Sequence, residues 1–270
     1  MKRMRIGIIG CGAIGKEIAH FSVKALKDKV ELVGVCDSDG NRARELSKLL
    51  RNEVPASSLD SLSGKSDLLI EAASAKAAKE VLEKAIERKK DVMLMSAGGL
   101  IDELPLVEKA RSRGISVYIP SGAICGIDGI KAAMIGGIRE ISLTTRKPPK
   151  GLEGALYLKE KNIDLNTIKE ETVIFEGDAS SAVRGFPRNV NVASVLSLAG
   201  LGPKETIVRI ITSPDYAKNV HEIKISGDFG EILTRTENVP SEQNPRTSRL
   251  AYLSAIATLK GIVESVRIGT

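Results

Sequence analysis

The sequence predicts an α/β protein: an N-terminal doubly wound parallel sheet of Rossmann type, followed by a second α+β domain with a mixed or antiparallel sheet. Three observations predict it. Arg5-Ile6-Gly7-Ile8-Ile9 is a short β-branched run that enters Gly10-Cys11-Gly12-Ala13-Ile14-Gly15, the spacing G-x-G-x-x-G. Short apolar strands and helical stripes then alternate as far as Pro120. Beyond that point the strands lengthen and their residues alternate in polarity.

The first strand, loop and helix read as a place to lay a dinucleotide. Gly10 permits the tight turn, Gly12 carries no Cβ to block a pyrophosphate, and Gly15 lets the helix pack closely on the strand. Ala13 and Ile14 open the helix, whose free N–H groups and positive dipole end favour an anion. Ile14, Ile18, Phe21 and Ala25 lie at helical spacing as its apolar stripe. Val30 to Cys36 makes a second strand that ends in Asp37. That acid lies about 20 residues beyond the last glycine, where the unit needs an acceptor for the ribose hydroxyls. The combination points to a nicotinamide dinucleotide. Asp37 opposes a 2′-phosphate, whereas Arg42 and Arg44 in the following helix could meet one, so the sequence favours NAD and leaves NADP open.

Asp67 to Glu71 is a further apolar strand, followed by Ala72-Ala73-Ser74-Ala75 and a helix through Arg88. Small residues there, Ala73 and Ser74 among them, let the nicotinamide half of a cofactor pass close to the backbone. Asp91 to Met95, a helix from Glu103 to Arg113 and a strand from Ile115 to Ile119 repeat the plan. A glycine-rich crossover, Pro120 to Gly129, leads into a short helix from Ile130. The strands beyond are Glu140 to Arg146, Thr172 to Glu176, Thr206 to Thr212 and a hairpin from Val220 to Thr236. Asn189 to Ala199 reads as a helix among them, and Thr247 to Val266 as a terminal helix. The expected domains are residues 1–120, completed by 245–270, and a substrate-binding, catalytic and dimerisation domain over 121–244.

Composition narrows the function classes. The formal net charge of +6 is mild, and aromatic residues make up only 3% of the chain. Nucleic-acid binding would call for a basic stripe with stacking aromatics, and no such stripe is evident. No apolar stretch reaches the length of a membrane span, and the chain enters a strand at once, so neither a signal peptide nor a membrane anchor is expected. Cys11, Cys36 and Cys125 are odd in number and far apart, which fits a reducing cytoplasm better than a disulfide framework or zinc site. His20 and His221 are too separated for an evident metal centre.

Four segments are much more specific than the glycine motif: Pro120 to Asp128, Gly185 to Ala193, Asn219 to Ile223, and Asn244 to Ser248. They resemble L-aspartate dehydrogenases, and the resemblance runs through nearly the whole chain. It implies oxidative deamination of L-aspartate with NAD or NADP, giving iminoaspartate for NAD biosynthesis, or oxaloacetate and ammonia after hydrolysis. It also implies a homodimer, and a cofactor domain completed by the C-terminal helix. By the same resemblance Ala123 meets the cofactor through its backbone amide, and one asparagine of the Asn189–Asn191 pair, Asn191 being preferred, also contacts the cofactor. His221 is the implied catalytic residue, and Cys125 stands where a small residue such as glycine is expected.

The chemistry can be argued without the family. Hydride transfer from an amino acid's Cα needs an uncharged amine, and later attack by water on the imine, hence a base near neutrality. Histidine has the unperturbed pKa that suits this, and His221 lies on an expected strand of the second domain. A dicarboxylic amino acid also needs cationic partners, for which Arg184, Arg188 and Lys147 in loops of that domain are candidates. Two other readings compete: a cysteine-dependent aldehyde dehydrogenase using Cys125 as nucleophile and His221 as base, and a non-catalytic NAD-sensing protein.

Overall fold

The first compact unit of the computed structural model comprises Met1–Pro120 and Tyr252–Arg267. The structure describes residues 2–51, 53–187, 191–242 and 244–269, without the side chains of 244–246. In chain order the unit holds β1 (Met4–Ile9), α1 (Ala13–Ala25), β2 (Val30–Cys36), α2 (Gly40–Leu49) and α3 (Leu59–Lys65). It continues with β3 (Leu68–Glu71), α4 (Ala75–Arg88), β4 (Asp91–Leu94), α5 (Leu104–Ser112) and β5 (Val117–Tyr118). The strands form one parallel sheet in the order β2-β1-β3-β4-β5. Every residue of β3 is buried, as expected of a parallel strand covered on both faces. The order reverses between β1 and β3, and in such sheets ligands bind outside the carboxyl ends of the strands at that switch.

The expected stripe of α1 needs a correction. Ala25 is exposed, and the buried face is Gly15, Ile18, Ala19 and Ser22. Close approach of the helix to β1 selects small residues on that face, and Ser22 satisfies its hydroxyl on the Ile18 carbonyl at 2.7 Å. Three helices and four strands join in one core: Ile6, Ile18, Leu32, Leu46, Leu68, Met93 and Leu259 are all within it. Leu259 belongs to the terminal helix.

The second unit comprises Ser121–Ala251 and the last residues of the chain. It holds α6 (Ile127–Gly136), β6 (Ile138–Lys147), α7 (Leu156–Glu160), β7 (Thr172–Asp178), α8 (Ala179–Gly185) and α9 (Asn191–Ala199). There follow β8 (Thr206–Thr212), β9 (Asn219–Gly227), β10 (Gly230–Asn238), β11 (Pro240–Ser241) and β12 (Asn244–Ser248). Helix α10 (Arg249–Val263) starts in this unit and continues into the first. Its expected first turn is instead the strand β12, which pairs with β11. The larger sheet is mixed, in the order β10-β9-β6-β8-β7, with only β6 and β8 parallel.

One face of this sheet is buried, and its composition changes along the strands. In β6 the buried residues are Ile141, Leu143, Thr145 and Lys147; in β9 they include His221, Ile223 and Ile225. The register pairs Ile141 with Ile225, Leu143 with Ile223, and Thr145 with His221. The face is therefore apolar at one end and polar at the other. Helices α6, α8 and α9 pack over the sheet. An aromatic trio, Tyr157, Phe175 and Phe186, with centroids 5.3 to 5.7 Å apart, ties α7, β7 and the end of α8 together.

The terminal helix can be tested as part of the first core. Leu259→Ala should cost about 2–5 kcal/mol in urea unfolding, as truncation of a buried leucine does. Leu253→Ala, on the exposed side of α10, should change stability by about 0.5 kcal/mol or less. Equal small effects would show that α10 does not contribute to that core.

Candidate functional site

In the first unit the glycine turn is built for close approach. Gly10 has φ +102°, and a Cβ there would lie 2.5 Å from the Ala72 carbonyl carbon and 2.8 Å from the Ala73 nitrogen. The turn after β1 thus packs against the loop after β3, at the topological switch. A Cβ on Gly15 would overlap the Gly10 carbonyl oxygen, so the helix packs on the turn only with glycine there. Gly12, by contrast, faces open space: a Cβ on it would meet nothing within 4 Å. That is the gap a pyrophosphate needs. Helix α1 starts at Ala13 with no side-chain cap and no acid in its first turn, which leaves its N–H groups and dipole for an anion. Ile14 packs against the core, so only its backbone serves this end of the helix.

Asp37 sits beside that turn. Its Oδ2 accepts from the Cys11 amide at 2.8 Å and its Oδ1 from the Asp39 amide at 2.9 Å. A carboxylate has about four lone-pair sites, so two bonds fix its orientation and leave acceptor capacity for ribose hydroxyls. The two arginines have local partners: Arg42 pairs with Asp39 at 3.7 Å, and Arg44 donates to Asn41 Oδ1 at 2.7 Å. Ala73 and Ser74 are exposed, and the Ser74 hydroxyl caps α4 by accepting from the Ala77 amide. Burial pushes the Cys11 thiol up to about 12 and raises that of Cys36, so neither is a nucleophile at neutral pH. The residues present fit a dinucleotide.

In the second unit the chemistry collects at the polar end of the buried sheet face. Thr145 Oγ1 lies 3.0 Å from Nδ1 of His221, with Thr145 fully buried and His221 3% exposed. The tautomer decides which of the two donates. Lys147, two residues along β6 and thus on the same face, is also buried, and its carbonyl accepts from the Thr212 hydroxyl at 2.7 Å. Burial pushes the Lys147 ammonium down to about 8. Burial, and then the Lys147 charge, push His221 down to about 3. The imidazole is therefore neutral at neutral pH. Because its folded value lies below the ordinary 6.5, its contribution to stability is complete above 6.5 and is lost as the pH falls toward 3.

The structure differs from three expectations. Lys147 is the last residue of β6 rather than a loop residue, because the strand runs on until Pro148. Arg184 is also not in a loop; it is an exposed residue of α8. Where a base near neutrality is expected, burial and then the Lys147 charge shift the His221 imidazole into the acid range. Arg188 and Asn189 lie outside the described residues. Asn191 opens α9 and is exposed. Ala123 is held in place through its carbonyl, which accepts from Thr236 Oγ1 at 3.1 Å and Asn238 Nδ2 at 3.0 Å. Cys125 is exposed in the same loop, and His221 Nδ1 is bonded to Thr145 rather than to it.

Thr145, Thr236 and Asn238 escaped the sequence reading. Thr145 alone left a signal: in Ile141-Ser142-Leu143-Thr144-Thr145-Arg146-Lys147 the inward positions turn from apolar to polar.

Similarity to known proteins follows this geometry. A family profile described as aspartate dehydrogenase, C-terminal, matches residues 128–262, and one described as homoserine dehydrogenase, NAD binding domain, matches residues 10–120. L-Aspartate dehydrogenase of Methanosarcina barkeri is 46% identical, covering 99% of this chain and 100% of its own. That of Nitrosopumilus maritimus is 40% identical, over 98% and 99%. The crystal structure of aspartate dehydrogenase from Thermotoga maritima is 26% identical with a TM-score of 0.78, covering 99% of this chain and 100% of that one. With its nicotinamide-dinucleotide unit and its second unit both matched, this chain belongs to the L-aspartate dehydrogenase family.

Proposed function

We propose that the protein oxidatively deaminates L-aspartate with NAD or NADP, with NAD preferred, and that the iminoaspartate formed feeds NAD biosynthesis. The balanced reaction takes aspartate, oxidised cofactor and water to oxaloacetate, ammonium, reduced cofactor and one proton. The observation that carries the reading is the buried trio of Thr145, His221 and Lys147 on a chain that also bears the glycine turn and Asp37. When bound, the cofactor supplies the hydride acceptor. The chain's own residues have separate tasks. His221 is the catalytic residue: neutral, it holds a lone pair ready for the proton of the substrate amine or of the attacking water. Lys147 is a cationic partner for a substrate carboxylate, and Arg184 and Arg188 are candidates for the other. Burial is the larger cause of the depressed His221 value and the Lys147 charge the smaller; a substrate carboxylate beside Lys147 offsets the second, so the imidazole becomes a somewhat better base when substrate is present.

On the cofactor side, Gly10, Gly12, Ala13, Ile14 and Gly15 hold the pyrophosphate, Asp37 the ribose, and Ala73, Ser74, Ala123, Asn189 and Asn191 the remainder. Family resemblance supports a homodimer and a cytoplasmic location. No helix among the described residues is long and apolar enough to cross a membrane, and no cluster of ligating side chains there could hold a metal ion. The thiolate and NAD-sensing readings are not favoured: full-length relatives at 40–46% identity are L-aspartate dehydrogenases.

The direct test is formation of NADH from L-aspartate and NAD, and its reversal with oxaloacetate, ammonia and NADH. His221→Ala should lower kcat by roughly a hundred- to ten-thousand-fold while NAD binding stays near normal. Cys125→Ala should keep most of the activity. A dead Cys125→Ala beside an active His221→Ala would overturn the deamination mechanism.

Cofactor choice has its own test. Asp37→Ser should shift relative kcat/KM toward NADP by about tenfold or more. An unchanged ratio would remove Asp37 from the ribose site.

A further inference from the structure

Glu71 is a buried carboxylate with no task in the reaction above. It closes β3 with no solvent exposure. Its Oε1 accepts from the Ala73 amide at 2.7 Å, the Ser74 amide at 2.9 Å and the Ser96 hydroxyl at 2.8 Å. Its Oε2 accepts from the Ser96 amide at 3.0 Å. Burial pushes the carboxyl up, and those four hydrogen bonds oppose the shift. Three of the donors are backbone amides, which can only donate, so the group they suit is the carboxylate rather than the acid. Burying a charge is a costly way to fill a core, and four donors from elsewhere must be held in place to offset it.

What the carboxylate joins gives it a role. Ala73 and Ser74 belong to the loop after β3, and Ser96 to the loop after β4. The β3 loop is also the surface on which the Gly10 turn rests, since a Cβ on Gly10 would strike Ala72 and Ala73. The β4 loop is packed as tightly: a Cβ on Gly99 would overlap the Ala75 carbonyl oxygen at the start of α4. Loops from the carboxyl ends of β1, β3 and β4 thus meet around the Ala72–Ala75 segment, and Glu71 pins two of them from beneath.

We propose that Glu71 is a positioning residue for the nicotinamide half of the dinucleotide, an anionic clasp that fixes the β3 and β4 loops as one surface. It touches no reacting atom and acts through Ala73, Ser74 and Ser96. The inference rests on the reading of this unit as the cofactor site. It assigns the two halves of that site to different supports: Gly10 to Gly15 and Asp37 hold the adenosine diphosphate, and Glu71 shapes the place of the ring and its ribose.

That division makes the inference testable on the full chain by fluorescence or calorimetric titration with two probes, NADH and ADP, the second lacking the nicotinamide and its ribose. Glu71→Gln should raise the Kd for NADH by about tenfold or more and leave that for ADP within about twofold. Ser96→Ala, which removes one of the four bonds, should raise the NADH Kd by about threefold, and Ser96→Thr, which keeps the hydroxyl, should restore it. If Glu71→Gln does not fold, the Ser96 pair decides. Equal weakening of NADH and ADP would mean a general structural role, and unaltered NADH binding would mean none; either overturns the proposal while leaving the dehydrogenase reading intact. Failure of the parent protein to bind either probe would instead overturn the cofactor reading and this inference with it.

Discussion

The hydrogen bond between Thr145 and Nδ1 of His221 depends on strand register more than on either side chain. Thr145 and His221 are directly paired across β6 and β9, and a one-residue slip would turn both to the opposite face of the sheet. The register is held by the apolar pairs that precede it, Leu143 with Ile223 and Ile141 with Ile225, which have to face the helices. Burial of ordinary core residues at one end of the sheet therefore aims the imidazole at the other. The same burial takes His221 and Lys147 out of water, and both lose charge affinity as a result.

Backbone packing is the matching constraint in the first unit. Gly10 and Gly15 are close-approach glycines, each facing main-chain atoms, and only Gly12 opens onto free space. The motif is thus two parts assembly and one part ligand clearance. Acids at strand ends complete it: Asp37 after β2 reaches the glycine turn through the Cys11 amide, and Glu71 at the end of β3 reaches the next loops. One faces outward with acceptor capacity to spare, and the other is consumed by four internal donors.

Much of this was legible in the sequence, and the reason differs from place to place. The parallel sheet could be read because each strand is short, apolar and bounded by turn residues, and Val30 to Cys36 falls where the pattern puts it; so does Thr206 to Thr212 in the mixed sheet. His221 stood out as one of two histidines. Lys147 was read as a loop residue because a lysine next to two prolines resembles a surface turn, and only tertiary pairing with β8 shows the strand continuing through it. Thr145 and Glu71 were passed over for a related reason. A threonine or a glutamate carries no local mark of burial, and its role arises from partners 76 and 25 residues away. The shifted titration of His221 was likewise invisible, since desolvation depends on what covers the sheet and not on the strand that bears it.

The central claim of the proposal is that burial keeps the His221 imidazole neutral and that a dicarboxylate raises its proton affinity. It is tested most directly by following the ring nitrogens of His221 by NMR as the pH is lowered, in a His20→Gln background that leaves one histidine in the chain. The account predicts no protonation of the free protein between about pH 8 and pH 5, with the ordinary value of 6.5 displaced toward 3, and a rise toward neutrality when succinate is added. Titration of the free protein near 6.5, unaltered by succinate, would contradict it.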